Sequence, residues 1–252
     1  MLKKIIGLAC FSIIIISCKN EVHIDKIEGK RISISDSLES NSAIEAYIKP
    51  YREHVNNDLD SVLAYSAETY DKTNGDLNTA IGNFMADAVY EQANPVFKSR
   101  TDQQIDMVLL NYGGIRSIIS KGPITARTAY EVMPFENSIV VVAMKGPQIQ
   151  ELISYLANSR GADPISGLQL TLTPNGEVAS STINNEPIDE NRTYYVATND
   201  YLYNGGGNMT FFQKNEGLTV LDYKIRNALI DYFKKIDTLQ PVIDNRFIKL
   251  KK

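Results

Sequence analysis

Met107-Val108-Leu109-Leu110-Asn111-Tyr112-Gly113-Gly114-Ile115-Arg116 is the stretch on which the fold turns. Four apolar residues run without a break and stop at an asparagine and two glycines. The run is too short for a helix and lacks the alternation of a strand with one wet face. It therefore reads as a buried strand feeding a glycine-rich turn. Residues 139–144 repeat the pattern and end at Lys145-Gly146. Pro147 then stands at a first helical position, and Ile149, Leu152, Ile153 and Leu156 continue a helix, with Gly161 as its expected stop. Residues 194–198 form a further strand that runs into Tyr201-Leu202-Tyr203-Asn204-Gly205-Gly206-Gly207.

Working outward, Ile44, Tyr47, Ile48, Tyr51 and Val55 fall at helical spacing over 40–57, where Pro50 argues for a kink or a break. A short apolar strand is expected at 62–65. Asn78 is placed to cap a helix reaching about residue 92, with Ile81, Phe84, Met85, Ala88 and Val89 on its apolar face. Residues 168–183 read as paired strands with a turn at Pro174-Asn175-Gly176. A last helix over 221–234 and a short strand over 246–250 complete the pattern, and a first strand is expected near 32–34. Strands and helices alternate without a regular βαβ rhythm, so the fold class is mixed α/β.

The N-terminus has its own logic. Lys3 and Lys4 precede a short apolar stretch over 5–16, and Ser17-Cys18 comes directly after it. The stretch is too short and wrongly flanked to span a membrane, and reads as a secretory signal. Its ending resembles the lipobox of bacterial lipoproteins, which implies cleavage before Cys18 and lipidation there; the plainer alternative is an ordinary signal with an incidental cysteine. The expected organisation is a signal peptide over 1–17, a lipidated N-terminus and polar tether over 18–39, and one domain over 40–252. Multiple acyl chains make a stable anchor. The short Lys19-Asn20-Glu21 stretch weakly resembles surface-export signals, so a lipid anchor in the outer membrane is expected, periplasmic or surface-facing.

Composition narrows the chemistry. Cys10 and Cys18 are the only cysteines, so processing would leave neither a free thiol nor a disulfide. Loss of Lys3 and Lys4 takes the formal charge from −4 to −6, which is no footprint for nucleic acid. His23 and His54 are the only histidines. A catalytic zinc or dimetal site needs several imidazoles or thiolates, so no metal and no cofactor is expected in this chain.

Two glycine-rich loops come after buried strands, and strand ends are where α/β folds place ligands. Asn111 offers a donor and an acceptor to a heterocycle edge. Arg116 can clamp phosphate or ribose oxygens with its planar fork. Phe135, after Pro134, has a flat face for stacking a base. Each alone has a plainer reading: a turn, a solvated charge, a core ring.

The runs Asn111-Tyr112-Gly113-Gly114-Ile115-Arg116, Gly122-Pro123-Ile124-Thr125 and Met133-Pro134-Phe135-Glu136-Asn137 resemble the C-terminal domain of bacterial and animal 5′-nucleotidases. So do Ile81-Gly82-Asn83-Phe84-Met85-Ala86-Asp87-Ala88, Asn204-Gly205-Gly206-Gly207-Asn208-Met209 and Asn245-Arg246-Phe247, all in the family's order over about 40–250. The resemblance implies a layered sheet and helix domain of that type, with Asn111, Gly113, Gly114, Arg116, Phe135, Gly205 and Gly206 at a substrate site. It implies two aromatic rings around the base. Where the family's second loop ends in an aromatic, this chain has Met209, whose sulfur could cover a base face, or else Phe211 or Phe212 could turn in. Gly207 replaces the family's Asp, Tyr112 a small residue, and Lys72 is the nearest cation where an arginine is expected. Asp87 reads as a structural hydrogen-bond partner.

Full-length family members also carry a metallophosphatase domain with two metals, and the resemblance to that half is missing here. The resemblance therefore implies the recognition half of a split nucleotidase. Such a protein binds a nucleoside or nucleoside 5′-monophosphate and presents the phosphate to a separate metallophosphatase chain that holds the divalent metals. It belongs to a hydrolase family but is expected to be inactive alone. A stand-alone nucleoside-capturing lipoprotein, or one that has lost its ligand, is the alternative.

Overall fold

In the computed structural model, residues 24–35 and 37–251 are described. The signal segment, Cys18 and the 19–21 stretch lie outside them. The chain divides into two compact units, 1–48 and 49–252. The described part of the first unit is exposed chain over 24–35 and the opening of helix α1 (Ser42–Asp60). No strand forms near 32–34: Ile32 and Ile34 are exposed, and no neighbouring strand pairs with them. Helix α1 runs through Pro50 without breaking, and none of its residues is buried.

The second unit is built on a five-stranded sheet. Its order is β10 (Gly217–Lys224), β4 (Ser138–Lys145), β9 (Thr193–Asn199), β2 (Met107–Leu109) and β5 (Ile165–Ser166). Only the β9–β2 pair is parallel. The apolar runs that open the sequence argument lie at its centre, and alternate residues point to opposite faces of a strand. Val108, Ile139, Val141 and Ala197 enter one core, with helices α2 (Ala80–Thr101) and α6 (Ile225–Phe233). Met107, Leu109, Val140, Val142 and Val196 enter a second core on the other face. That core is closed by helix α4 (Gly146–Asn158) and by β6 (Leu168–Leu172) and β7 (Val178–Ile183). A sheet covered on both faces needs continuous apolar runs, as these strands have.

The strands β6 and β7 form the expected antiparallel pair, extended by β8 (Glu186–Pro187) on one side and by parallel β12 (Phe247–Lys249) on the other. Gly176 takes φ +93° in their turn, where a side chain would strain the backbone. A third small sheet places β1 (Val62–Ser66) between β3 (Gly122–Thr125) and β11 (Thr238–Leu239). Helix α3 (Ala126–Val132) begins directly after β3.

Several boundaries differ from the sequence reading. Thr79, not Asn78, caps α2, its hydroxyl accepting from the Gly82 amide. The helix continues through Pro95 to Thr101. Asn78 is instead buried and works at long range. Its amide donates to the carbonyls of Asp244 at 3.1 Å and Phe247 at 3.0 Å, and its oxygen accepts from Asn83 Nδ2 at 2.8 Å. Residues 221–224 belong to β10, because Lys224 still pairs with Ser138 across the sheet edge; α6 starts only at Ile225. Helix α4 ends at Asn158, before Gly161, with Ser159 extended.

Candidate functional site

Asn111 leaves β2 in an extended conformation, and Tyr112–Gly114 then form one turn of 3-10 helix. The Asn111 carboxamide lies back over both glycines of the turn. A Cβ at Gly113 would stand 3.1 Å from Asn111 Nδ2, and one at Gly114 would stand 3.2 Å from Oδ1. The glycines are what let the amide sit there. Arg116 comes next, exposed, with its backbone N–H on the Val132 carbonyl and Nη1 3.4 Å from the Gly113 oxygen. Its guanidinium is 5.9 Å from the Phe135 ring centroid, within cation–π range.

Phe135 sits on the loop between α3 and β4, 41% exposed. That loop is held from below by cations. Arg226, buried at the start of α6, points Nη1 at the carbonyls of Pro134 and Phe135, at 3.4 and 3.5 Å. The same guanidinium pairs with Glu136 and stacks 4.0 Å from the Tyr130 ring centroid. Lys224 Nζ donates to the Glu136 carbonyl and to Ser138 Oγ. The hydrogen bond from Arg226, with its charge, holds the exposed Glu136 carboxyl below the ordinary value.

These groups meet at one cavity of about 360 Å³, lined by Asn111, Gly113, Gly114, Arg116, Phe135, Asn137 and Tyr201. The volume falls in the range of small-molecule sites, roughly 300–1,000 Å³. Five of the expected site residues are therefore brought together. Gly205, Gly206 and Met209 are not among the lining residues. Met209 is fully buried in the second core, and Phe211 and Phe212 are buried with it, so none of the three offers a face to a ligand. The aromatic that lines the cavity beside Phe135 is Tyr201, 52% exposed, in the short helix α5 (Asp200–Tyr203). Asn199 caps α5, accepting from the Leu202 amide at 2.8 Å. Gly206 lies under the Tyr201 ring: a Cβ there would be 2.4 Å from Cε1. The glycine loop thus supports the Tyr201 ring, which comes before the loop in sequence.

The first loop has its own supports. Asp163 accepts the Tyr112 N–H at 2.8 Å and the Ser159 hydroxyl at 3.0 Å. Burial raises its carboxyl above the ordinary value, against the lowering effect of both hydrogen bonds. Lys72 Nζ donates to the Ile115 carbonyl at 2.8 Å and stands 4.5 Å over the Tyr112 ring. It props the loop. Asp87 takes a bidentate pair from Arg246, 2.9 Å at each oxygen, the structural role expected for it. Among the described residues, no group of three or more His, Cys, Asp or Glu could hold a metal ion.

Residues 58–214 match the family model described as "5'-nucleotidase, C-terminal domain". The chain belongs to this family. It is 22% identical over 252 residues to the 5'-nucleotidase of Vibrio cholerae, covering 96% of this chain and 42% of that protein. It is 27% identical over 249 residues to the trifunctional nucleotide phosphoesterase YfkN of Bacillus subtilis, covering 90% of this chain and 16% of the relative. The 5'-nucleotidase precursor of Thermus thermophilus superposes with a TM-score of 0.67 at 25% identity, over 83% of this chain and 43% of that one. The NAD nucleotidase of Haemophilus influenzae shares the fold, with a TM-score of 0.63 at 18% identity, over 84% of this chain and 42% of that one. The chain thus spans less than half the length of each of these proteins. The layered sheet and helix architecture is that of 5′-nucleotidase C-terminal domains.

Proposed function

We propose that this protein is the nucleoside-recognition half of a split 5′-nucleotidase. It binds the base and ribose of a nucleoside 5′-monophosphate and presents the phosphate to a separate metallophosphatase chain. The observation that carries the reading is the meeting of Phe135, Tyr201, Asn111 and Arg116 at one cavity. Aromatic faces hold a flat heterocycle whatever its identity. A carboxamide reads its edge with one donor and one acceptor. A guanidinium takes phosphate or ribose oxygens in a fork that lysine cannot reproduce. The nucleotidase names of the relatives support a nucleotide as the ligand class.

Phosphate-ester hydrolysis by a two-metal centre needs metal-activated water and charge stabilisation on the transferring group. The reading assigns that chemistry to the partner chain. It rests on the resemblance read from the sequence, whose motifs are those of the family's recognition domain. Attachment to the outer membrane through Cys18 belongs to the same proposal and rests on the sequence around Cys18.

Calorimetric titration of the purified protein with AMP, adenosine and ribose 5-phosphate tests the reading. Adenosine should bind, and Phe135→Ala and Arg116→Ala should weaken it. Absence of heat and of thermal shift with all three would overturn the nucleoside assignment. Release of phosphate from AMP at full rate by the metallophosphatase alone would overturn the split arrangement.

A further inference from the structure

We propose that Tyr155 and Asp163, neither of which lines the cavity, are positioning residues that set its geometry by tying both glycine loops to one end of helix α4. The inference deepens the reading above and rests on it for the ligand. The Asn111–Gly114 segment and the Gly205–Gly207 segment are about ninety residues apart in sequence, and neither fixes its own distance from the other. The C-terminal end of α4 reaches both. The Tyr155 hydroxyl donates to the Gly207 carbonyl at 3.0 Å. Four residues on, Ser159 donates to Asp163 Oδ2 at 3.0 Å, and Asp163 Oδ1 accepts the Tyr112 N–H at 2.8 Å. The Leu110 N–H donates to the Pro164 carbonyl at 2.9 Å, so the 163–164 segment grips the chain on both sides of Asn111. Gly161 brings the two segments close: a Cβ there would lie 3.1 Å from Tyr112 Cβ.

Each bond acts on a cavity residue at one remove. Gly207 sets Gly206, which backs the Tyr201 ring; Tyr112 sets the turn over which the Asn111 amide lies. Asp163 is 5% exposed. A buried carboxylate is a costly support unless it is hydrogen-bonded, and this one accepts two hydrogen bonds in fixed directions at a turn.

The test is a double-mutant cycle on adenosine affinity with Tyr155→Phe, Tyr201→Ala and the pair, joined to amide exchange of the ligand-free proteins. Tyr155→Phe keeps the ring that packs edge-on against Phe211 and removes only the hydroxyl. It should weaken binding about fivefold, the scale of one hydrogen bond, and lower the melting temperature by only a few degrees. In the Tyr201→Ala background that effect should vanish, because Tyr155 acts through the Tyr201 ring. Amides 205–208 should exchange faster in Tyr155→Phe. Asp163→Ala should speed exchange over 111–115 and weaken binding, and Asp163→Asn, which keeps the acceptor for Tyr112, should restore both. Undiminished loss in the Tyr201→Ala background, or unchanged exchange at 205–208, would overturn the proposal. If the wild type binds no nucleoside, the functional reading fails, and the exchange measurements still decide whether the strut exists.

Discussion

Tyr201→Ala separates the two candidates for the second aromatic wall. The ring is half exposed and lies over Gly206 at the cavity. Its loss opens no void in either core, so stability should change by no more than about 0.5 kcal/mol. A base stacked on an aromatic ring gains roughly 1–3 kcal/mol, so the dissociation constant for adenosine should rise about five- to 150-fold. Met209→Ala should do the reverse. That side chain is fully buried in the second core, and its truncation should cost about 2–5 kcal/mol of stability. Adenosine affinity of the folded fraction should hardly move. Both variants are compared by titration calorimetry at a temperature where each is folded, with a thermal melt alongside. If Tyr201→Ala binds like the wild type while folded Met209→Ala does not, the assignment of the second wall is refuted.

Gly206→Ala should mimic Tyr201→Ala, since a Cβ 2.4 Å from Tyr201 Cε1 must push an exposed ring aside; a thermal melt should be nearly unchanged, and unaltered adenosine binding would count against the support. Asn78→Ala should cost on the order of 3 kcal/mol, because backbone partners at half-buried 244 and buried 247, and the Asn83 amide, lose hydrogen bonds, whereas Thr79→Ala should cost about 1 kcal/mol as the loss of a helix cap. Urea unfolding at constant m-value ranks them, and the opposite order would mean that Asn78 is the cap. Burial raises the Asp244 carboxyl, but its hydrogen bonds and charge contact with Arg246 outweigh this and hold it below the ordinary carboxylate value. Its folded-state pKa therefore lies under the unfolded one, and its contribution is present above about pH 4 and lost as pH falls below that. Urea midpoints measured downward from pH 7 should fall less steeply for Asp244→Asn than for the wild type; equal slopes would remove Asp244 as the cause.

What the sequence made legible was whatever rests on local pattern and burial together. The uninterrupted runs before Asn111 and after Asn137 announce strands covered on both faces, and two cores on opposite sides of the sheet are the physical reason for them. Asn111, Arg116 and Phe135 lie in the loops that these strands and the helix before β4 leave at one cavity; that they hold a nucleotide belongs to the proposal. The misplacements have a common cause, a partner far away in the chain. Asn78 has the chemistry of a cap, but its amide satisfies carbonyls 166 and 169 residues later. Residues 221–224 have a helical look, but β4 offers them a sheet edge. Ile32 and Ile34 have strand composition and no strand to join.

Tyr201 is the most instructive case, because it lines the cavity where the sequence points to Met209. A motif with glycines draws the eye forward, to Met209 and the phenylalanines after it. The Gly205–Gly207 loop instead folds back. Gly205 and Gly207 take φ of +91° and +63°, which reverses the chain onto the residues before it and sends Met209, Phe211 and Phe212 into the core. The glycine between them then faces the Tyr201 ring at a distance at which any side chain would displace the ring. A glycine run that reverses direction is a platform for the residue upstream, and the sequence carries a sign of it: Asn199, a good capping residue, starts a one-turn helix that holds Tyr201 outward. By the same logic, what the loop contributes under the proposed reading is the placement of the Tyr201 ring.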